Sequence, residues 1–152
     1  MKKIAAVFAV LLLLAIGLLV IGGRPGSGSG GVSLGSGDAK FLSQQSVDFM
    51  EDLQFKDFEK AASYHSAEDR KDVNIARLIE RLFAIKPEFL DIQRYDIRDV
   101  DIDRSGNRAR VKVHAVVKIL NTKEVKEPEI ILYWRKDPAE GWVMELESSL
   151  HG

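Results

Sequence analysis

The chain has 152 residues, 22 of them basic and 23 acidic, with a net charge of −1 and no cysteine. That balance argues against a nucleic-acid partner, which calls for a basic surplus, and the missing thiols exclude disulfides, thiol chemistry and cysteine-ligated metal. The length suits one small domain with one core once the first 37 residues are set apart.

Residues 4–21 form a run of eighteen apolar or small side chains with no charge and no proline. As a helix the run reaches ~27 Å, close to the ~30 Å hydrocarbon thickness of a bilayer, and satisfies its own backbone hydrogen bonds. Lys2 and Lys3 precede it and only Arg24 follows, so the amino terminus is expected in the cytoplasm. The reading is a single-pass anchor over residues 1–23 in the cytoplasmic (inner) membrane, with the remainder extracytoplasmic or periplasmic. A cleaved secretory signal is the alternative, and both export the domain.

From residue 22 to 37, eight of sixteen residues are glycine and four are serine. Residues 24–37 read as a flexible linker, and the whole glycine-rich stretch has an r.m.s. reach of roughly 20–24 Å. Gly26, Gly28 and Gly31 match the dinucleotide-binding spacing, but that pattern has meaning only between a strand and a helix. No cofactor and no metal is implied.

Residues 38–152 form the expected domain. Asp38 is placed as an N-cap, with Phe41, Leu42, Gln45, Phe49 and Leu53 on one helical face and Met50 beside them. A break follows at Gln54, Phe55 and Lys56, and Asp57 caps a second helix carrying Phe58, Ala61, Ala62 and Tyr64. Ser66 and Asp69 resemble a capping box for a third helix that runs to about Ile85, its core stripe made by Ile75, Leu78, Ile79, Leu82 and Phe83. Pro87 ends it.

Four strands follow. A turn centred between Ser105 and Gly106 pairs Ile102 with Ala109 and Val100 with Val111. The opposite phase then pairs Asp103 with Arg108, Asp101 with Arg110 and Asp99 with Lys112, an internal check on the register. It also means that the basic stripe is neutralised by its neighbour strand. A bulge near Arg98 restores the phase of Tyr95 and Ile97 and brings Asp96 to His114. A third strand over about 125–135 is expected to pair Ala115 with Ile130, Val113 with Leu132 and Val111 with Trp134, its beginning marked as an edge or bulge by Pro128. A fourth pairs Trp142 with Trp134, Met144 with Leu132 and Leu146 with Ile130. The opposite face then carries Val116, Ile131, Tyr133 and Val143 among charges, a candidate partner surface.

Three helices before an antiparallel meander resemble the nuclear-transport-factor-2-like superfamily, an α+β cone in the cystatin-like group. The resemblance spans roughly residues 38–150. It is carried by the run from Phe55 to Tyr64 (FKDFEKAASY), by Asn107 to Val113 (NRARVKV) and by the closing Gly141 to Leu146 (GWVMEL). It implies three helices on a curved four-stranded sheet, with a cone lined by Tyr64, Val111, Leu132, Trp134, Trp142 and Met144. It transfers no catalytic residue. By analogy with anchored members, the expected role is a non-enzymatic envelope domain that binds a protein partner or a second copy of itself. The alternatives are a carrier or sensor of a small apolar ligand in the cone, and a small isomerase or hydrolase using Tyr64, His65 or the Asp96–His114 pair.

Overall fold

A computed structural model describes residues 34–145 of the chain. The expected membrane segment at 4–21, most of the linker and Leu146 lie outside the described residues. Among the described residues no helix is long and apolar enough to cross a membrane.

The domain is α+β. Helix α1 (Leu34–Gln54) starts four residues before Asp38, the expected cap. Its apolar stripe buries Leu42, Phe49, Met50 and Leu53, while Phe41 stays exposed. The break at residues 55–57 follows the sequence: Lys56 takes a positive φ of 59°, and the Asp57 carboxylate accepts from the Lys60 N–H at the start of α2 (Phe58–Ala62). Beyond α2 the expectation needs correction. The Ser66 hydroxyl does accept from the Asp69 N–H at 3.1 Å, but only a 3-10 turn (Asp69–Lys71) follows, with Glu68 at its N-cap position. The third helix, α3 (Ile75–Phe83), is capped instead by Asn74, whose side chain accepts from the Arg77 N–H at 3.0 Å. It ends on Ala84 in the left-handed region, and Pro87 begins a second 3-10 turn.

Strands β1 (Leu90–Ile102), β2 (Arg108–Ile119), β3 (Val125–Lys126), β4 (Glu129–Asp137) and β5 (Gly141–Met144) form one antiparallel sheet. The order is β1-β2-β4-β5, with β3 also on β2. The β1–β2 hairpin has the expected register, including Val100 opposite Val111, Asp96 opposite His114 and a shift between Ile97 and Asp99. A second shift between Ile92 and Arg94 keeps Leu90 and Ile92 in phase with the core.

The other two registers differ from expectation by two residues. Val113 pairs with Ile130, Val111 with Leu132 and Ala109 with Trp134. Trp134 pairs with Met144, and Trp142 faces Lys136. A shift of two preserves which face each side chain occupies, because strand side chains alternate with period two. Hence Val111, Val113, Ile130, Leu132 and Trp134 keep the expected core face although their cross-strand partners differ. Pro128 marks a gap, not a bulge: β3 and β4 follow one register on β2, and the Pro128 carbonyl accepts from the Ala115 N–H. The core joins Leu42, Phe49, Leu53, Leu78, Ile79 and Phe83 of the helices to Val111, Val113, Val117, Leu132 and Trp134 of the sheet.

Candidate functional site

The six residues expected to line a cone divide into two groups. Val111, Leu132 and Met144 are completely buried in the packed core and are not part of the pocket described next. Tyr64, Trp134 and Trp142 line a pocket of about 280 Å³ with Gln45, Ser63, His65, Glu140 and Val143. So the expected lining divides between the packed core and a pocket at one end of the sheet.

Backbone bonds fix the walls of that end. The Met144 N–H donates to the Tyr64 carbonyl at 2.8 Å, and His65 forms a parallel bridge with Met144, which closes the outer edge of β5 with the turn after α2. His65 is buried, its Nδ1 3.2 Å from the Ala62 carbonyl, so Nδ1 carries the proton of that contact. The Glu140 carboxylate accepts from the Ala67 N–H at 3.1 Å and pairs with Arg70 at 3.4 Å. Lys136 pairs with Asp38 at 3.3 Å and stands 5.5 Å from the centre of the Trp142 ring. The charges flanking the pocket are thus matched one to one.

Both tryptophans leave their indole N–H buried and without a hydrogen-bond partner among the described residues. An indole nitrogen only donates, so an acceptor must reach it. An unmade bond at a buried donor costs about 1–3 kcal/mol, and neither nitrogen has surface open to the pocket that its ring lines.

Tyr64 does not offer its hydroxyl as a free polar tip inside the cone. The hydroxyl donates to Asp52 at 3.0 Å, and the ring stands edge-on to Phe49 at 5.8 Å. Burial, then the bond to Asp52, pushes the phenol well above its ordinary range. Asp52 is itself buried and paired with Lys60 at 3.0 Å. Tyr64 acts there as a fastener between α1 and the turn after α2.

On the opposite face of the sheet, Val116, Ile131 and Tyr133 are half-buried. Val143 is not available: it is 4 % exposed. Its cross-strand partner Arg135 reaches Asp69 at 3.6 Å, so the segment after His65 folds over this end of the sheet. Around Ile131 and Tyr133 the charges interlock. Arg110 meets Asp101 at 2.6 Å as expected; Lys112 stands opposite Asp99 as expected but forms its ion pair with Glu129, and Asp103 accepts from the Ser105 hydroxyl and the Arg108 N–H.

The Asp96–His114 pair exists, with Nδ1 3.3 Å from the carboxylate, and Glu127 approaches Nε2 at 3.2 Å while Arg98 crowds Nδ1. It lies on the face opposite the pocket, since its neighbours Val113 and Ala115 point into the core. The titratable groups suspected of acid–base work are therefore on two faces of the sheet. No group of three or more metal-ligating acids and imidazoles occurs among the described residues.

Gln45, Glu140 and Asp52 are not among the residues that the sequence points to as a site. Gln45 and Asp52 do carry a signal, each being a polar residue on or beside the apolar stripe of α1. Glu140 has none, because its place depends on a turn whose register was two residues away. Comparison with known proteins returns no match to any protein-family model and none to a curated protein sequence.

Proposed function

We propose that this chain is a non-enzymatic domain of the cell envelope, anchored through residues 4–21 and displayed outside the cytoplasm, that associates through the outer face of its sheet. The reading includes the nuclear-transport-factor-2-like cone, to which the helices-then-meander order is similar. The observation that carries it is the outer face. The described helices contribute to the core on the other side, yet Val116, Ile131 and Tyr133 remain half-buried here between ion pairs.

The occupant best suited is a second copy of the chain. The face runs from an acidic strand (Asp96, Asp99, Asp101) through a basic one (Arg108, Arg110, Lys112) to Glu129, Ile131 and Tyr133. A two-fold axis through such stripes sets acid near base in both directions, beside the ion pairs that each copy already makes, as an isologous interface requires.

The test is mass by light scattering on the detergent-solubilised full chain across a concentration series. A reversible dimer is expected, and Ile131→Lys with Tyr133→Glu should abolish it without changing the melting curve. A strict monomer at every concentration, or a dimer indifferent to both substitutions, would sink the proposal.

A further inference from the structure

We propose that the end of the domain formed by residues 55–57, 84–91 and 118–127 rests on the surface of an anionic bilayer, with Phe55, Leu120 and Val125 entering the headgroup layer and the neighbouring lysines meeting lipid phosphates. Backbone and side-chain bonds bring the three segments to one end. Gln54 donates from Nε2 to the Ile92 carbonyl at 2.7 Å, which sets the close of α1 beside the start of β1. The Leu120 N–H donates to the Phe89 carbonyl at 2.9 Å, and Lys118 stands opposite Asp91 on one side and Val125 on the other. The start of α1 is at the other end, where Asp38 pairs with Lys136 and the Lys136 N–H donates to the Asn107 carbonyl beside the β1–β2 turn.

Three observations select a lipid surface. The first is apolar exposure. The large apolar side chains exposed among the described residues are Phe41, Phe55, Leu120 and Val125, and the last three share this end at 73 %, 47 % and 56 % exposure. Phe55 is on a different loop from the other two, and Lys56 and Lys126 directly follow Phe55 and Val125. A protein partner calls for one continuous apolar patch, whereas a bilayer interface takes separate tips and leaves each lysine head among the phosphates.

The second observation is charge. The lysine ion pairs among the described residues are those of Lys60, Lys112 and Lys136, which leaves Lys56, Lys86, Lys118, Lys123 and Lys126 unpaired. Of the acids in the same three segments, Asp57 caps α2 and Glu127 approaches His114, so Glu88, Asp91 and Glu124 remain. Five unpaired lysines against three remaining acids give this end a positive excess in a chain whose net charge is −1. The third is the backbone. Lys56, Ala84 and Lys123 are the residues other than glycine with positive φ among the described residues, and one falls in each segment. Such turns are strained for a residue with a Cβ and gather where loops serve a function.

The length of the tether fits. Residues 22–33 extend to at most roughly 40 Å, against ~30 Å for α1, so this end can touch the bilayer that would hold residues 4–21. The contact takes only proximity from that anchor. It is separate from the outer-face association, whose test alters Ile131 and Tyr133 and leaves these loops intact.

The experiment uses the full chain reconstituted in vesicles with bromine on the lipid acyl chains as a quencher. The chain has no cysteine, so Asn121→Cys and, at the other end, Arg104→Cys each offer one site for a fluorescent dye, and both positions are exposed. The lipid is phosphatidylcholine alone or with about 30 % phosphatidylglycerol. Flotation first records whether residues 4–21 anchor the chain, so failure of the anchor is read separately from failure of the loops. An unanchored chain should still float with the phosphatidylglycerol vesicles at low salt and not with the neutral ones.

Quenching at Asn121→Cys should exceed that at Arg104→Cys by at least about threefold in the phosphatidylglycerol vesicles. Phe55→Ser, Leu120→Ser and Val125→Ser together should bring the two labels level. Lys56→Gln, Lys86→Gln, Lys123→Gln and Lys126→Gln together should remove the preference for phosphatidylglycerol. All seven side chains are exposed, so neither variant removes a buried contact. Equal quenching of the two labels, quenching that survives the serine substitutions, or equal quenching in both lipid mixtures would overturn the proposal. So would dye self-quenching at Asn121→Cys that rises with protein density and needs no brominated lipid, which would assign this end to a second copy of the chain.

Discussion

Tyr64 donates its hydroxyl to the buried carboxylate of Asp52 across 3.0 Å, joining the end of α1 to the turn that closes the edge of β5. Asp52 keeps a second partner in Lys60, but that lysine is largely exposed. Tyr64→Phe preserves the edge-on contact with Phe49 and removes only the donor. We expect a loss of about 1–3 kcal/mol in urea unfolding, the scale for a hydrogen bond to a charged group. Lys60→Ala should cost less, because water can replace it. Equal midpoints for Tyr64→Phe and the unaltered chain would show that the bond contributes nothing.

The same phenol makes stability depend on alkaline pH. Burial, then the Asp52 bond, raises its proton affinity; Tyr95 is raised in the same way by burial and by the negative charges of Glu51, Asp48 and Asp52. An unfolded tyrosine releases its proton near pH ~10. Above that point the folded state holds more protons than the unfolded one, so stability falls as pH rises. The contribution is complete below about pH 10 and is lost toward the folded-state value. Denaturant midpoints from pH 8 to 12 should decline, and decline less steeply in Tyr64→Phe. Parallel declines would assign the effect to other groups.

Val143 and Ile131 occupy the same face of the sheet but different environments. Val143 is 4 % exposed beneath the Asp69 segment, while Ile131 is half-buried with one side open. Val143→Ala should therefore destabilise the fold by about 1–3 kcal/mol and leave association unchanged in whatever remains folded. Ile131→Lys should do the reverse. Thermal melting and light scattering on both variants separate the two effects, and a stable Val143→Ala protein with broken association would restore Val143 to the partner surface.

These contrasts show where the sequence speaks and where it is silent. The β1–β2 hairpin was legible because Gly106, at φ 72°, marks the turn and the acid–base pairs specify one register. The β2–β3 turn has no such marker. Its left-handed position is held by Lys123, at φ 61°, where glycine would have signalled it. At the next turn Gly141 carries the positive φ but already faces Asp137, whose carboxylate accepts from the Ala139 and Glu140 N–H groups. The loop is thus three residues long, and counting from Pro138 shifts the register by two. Face assignments survived because the error was even. The strand pattern places Trp134 and Trp142 beside the core, but their lack of acceptors among the described residues depends on packing that no spacing encodes.

Arg135 is the link between the outer face and the segment after His65. Its guanidinium pairs with Asp137 at 3.0 Å, Glu145 at 2.8 Å and Asp69 at 3.6 Å, and the Asp137 bond, then the nearby acids, raise its proton affinity further. Arg135→Met keeps much of the stem and removes the charge. A loss of roughly 1.5–3 kcal/mol is expected, since the hydrogen bonds involve charged partners and the group is less than one-third exposed. Hydrogen exchange should rise first at the Arg70, Asp72 and Val73 amides, which close the 3-10 turn carrying Asp69. Unchanged protection there would mean that backbone bonds alone hold the segment.

Residues 4–21 remain the basis for the expected location, and they make a separate prediction. Eighteen apolar residues with basic residues at the start can be retained as an anchor or removed as a signal, and the two fates differ in one measurable feature. The run exceeds the ~7–15 residues of a usual signal core, and no Ala-x-Ala site follows it. Retention is the expected outcome. Expressed in a bacterium, the full chain should pellet with membranes, resist alkaline carbonate, and be digested by protease added to the periplasmic side. Deleting residues 2–23 should release it to the soluble fraction. Replacing Leu12 and Leu13 with arginines should also abolish membrane retention, because each charge at the centre of the span costs about 2.5–3.5 kcal/mol on insertion scales. A mature protein whose amino terminus, read by mass spectrometry, begins after Gly22 would instead identify a cleaved signal and a freely diffusing domain. The association proposed for the outer face would then have to occur without the concentrating effect of a shared membrane.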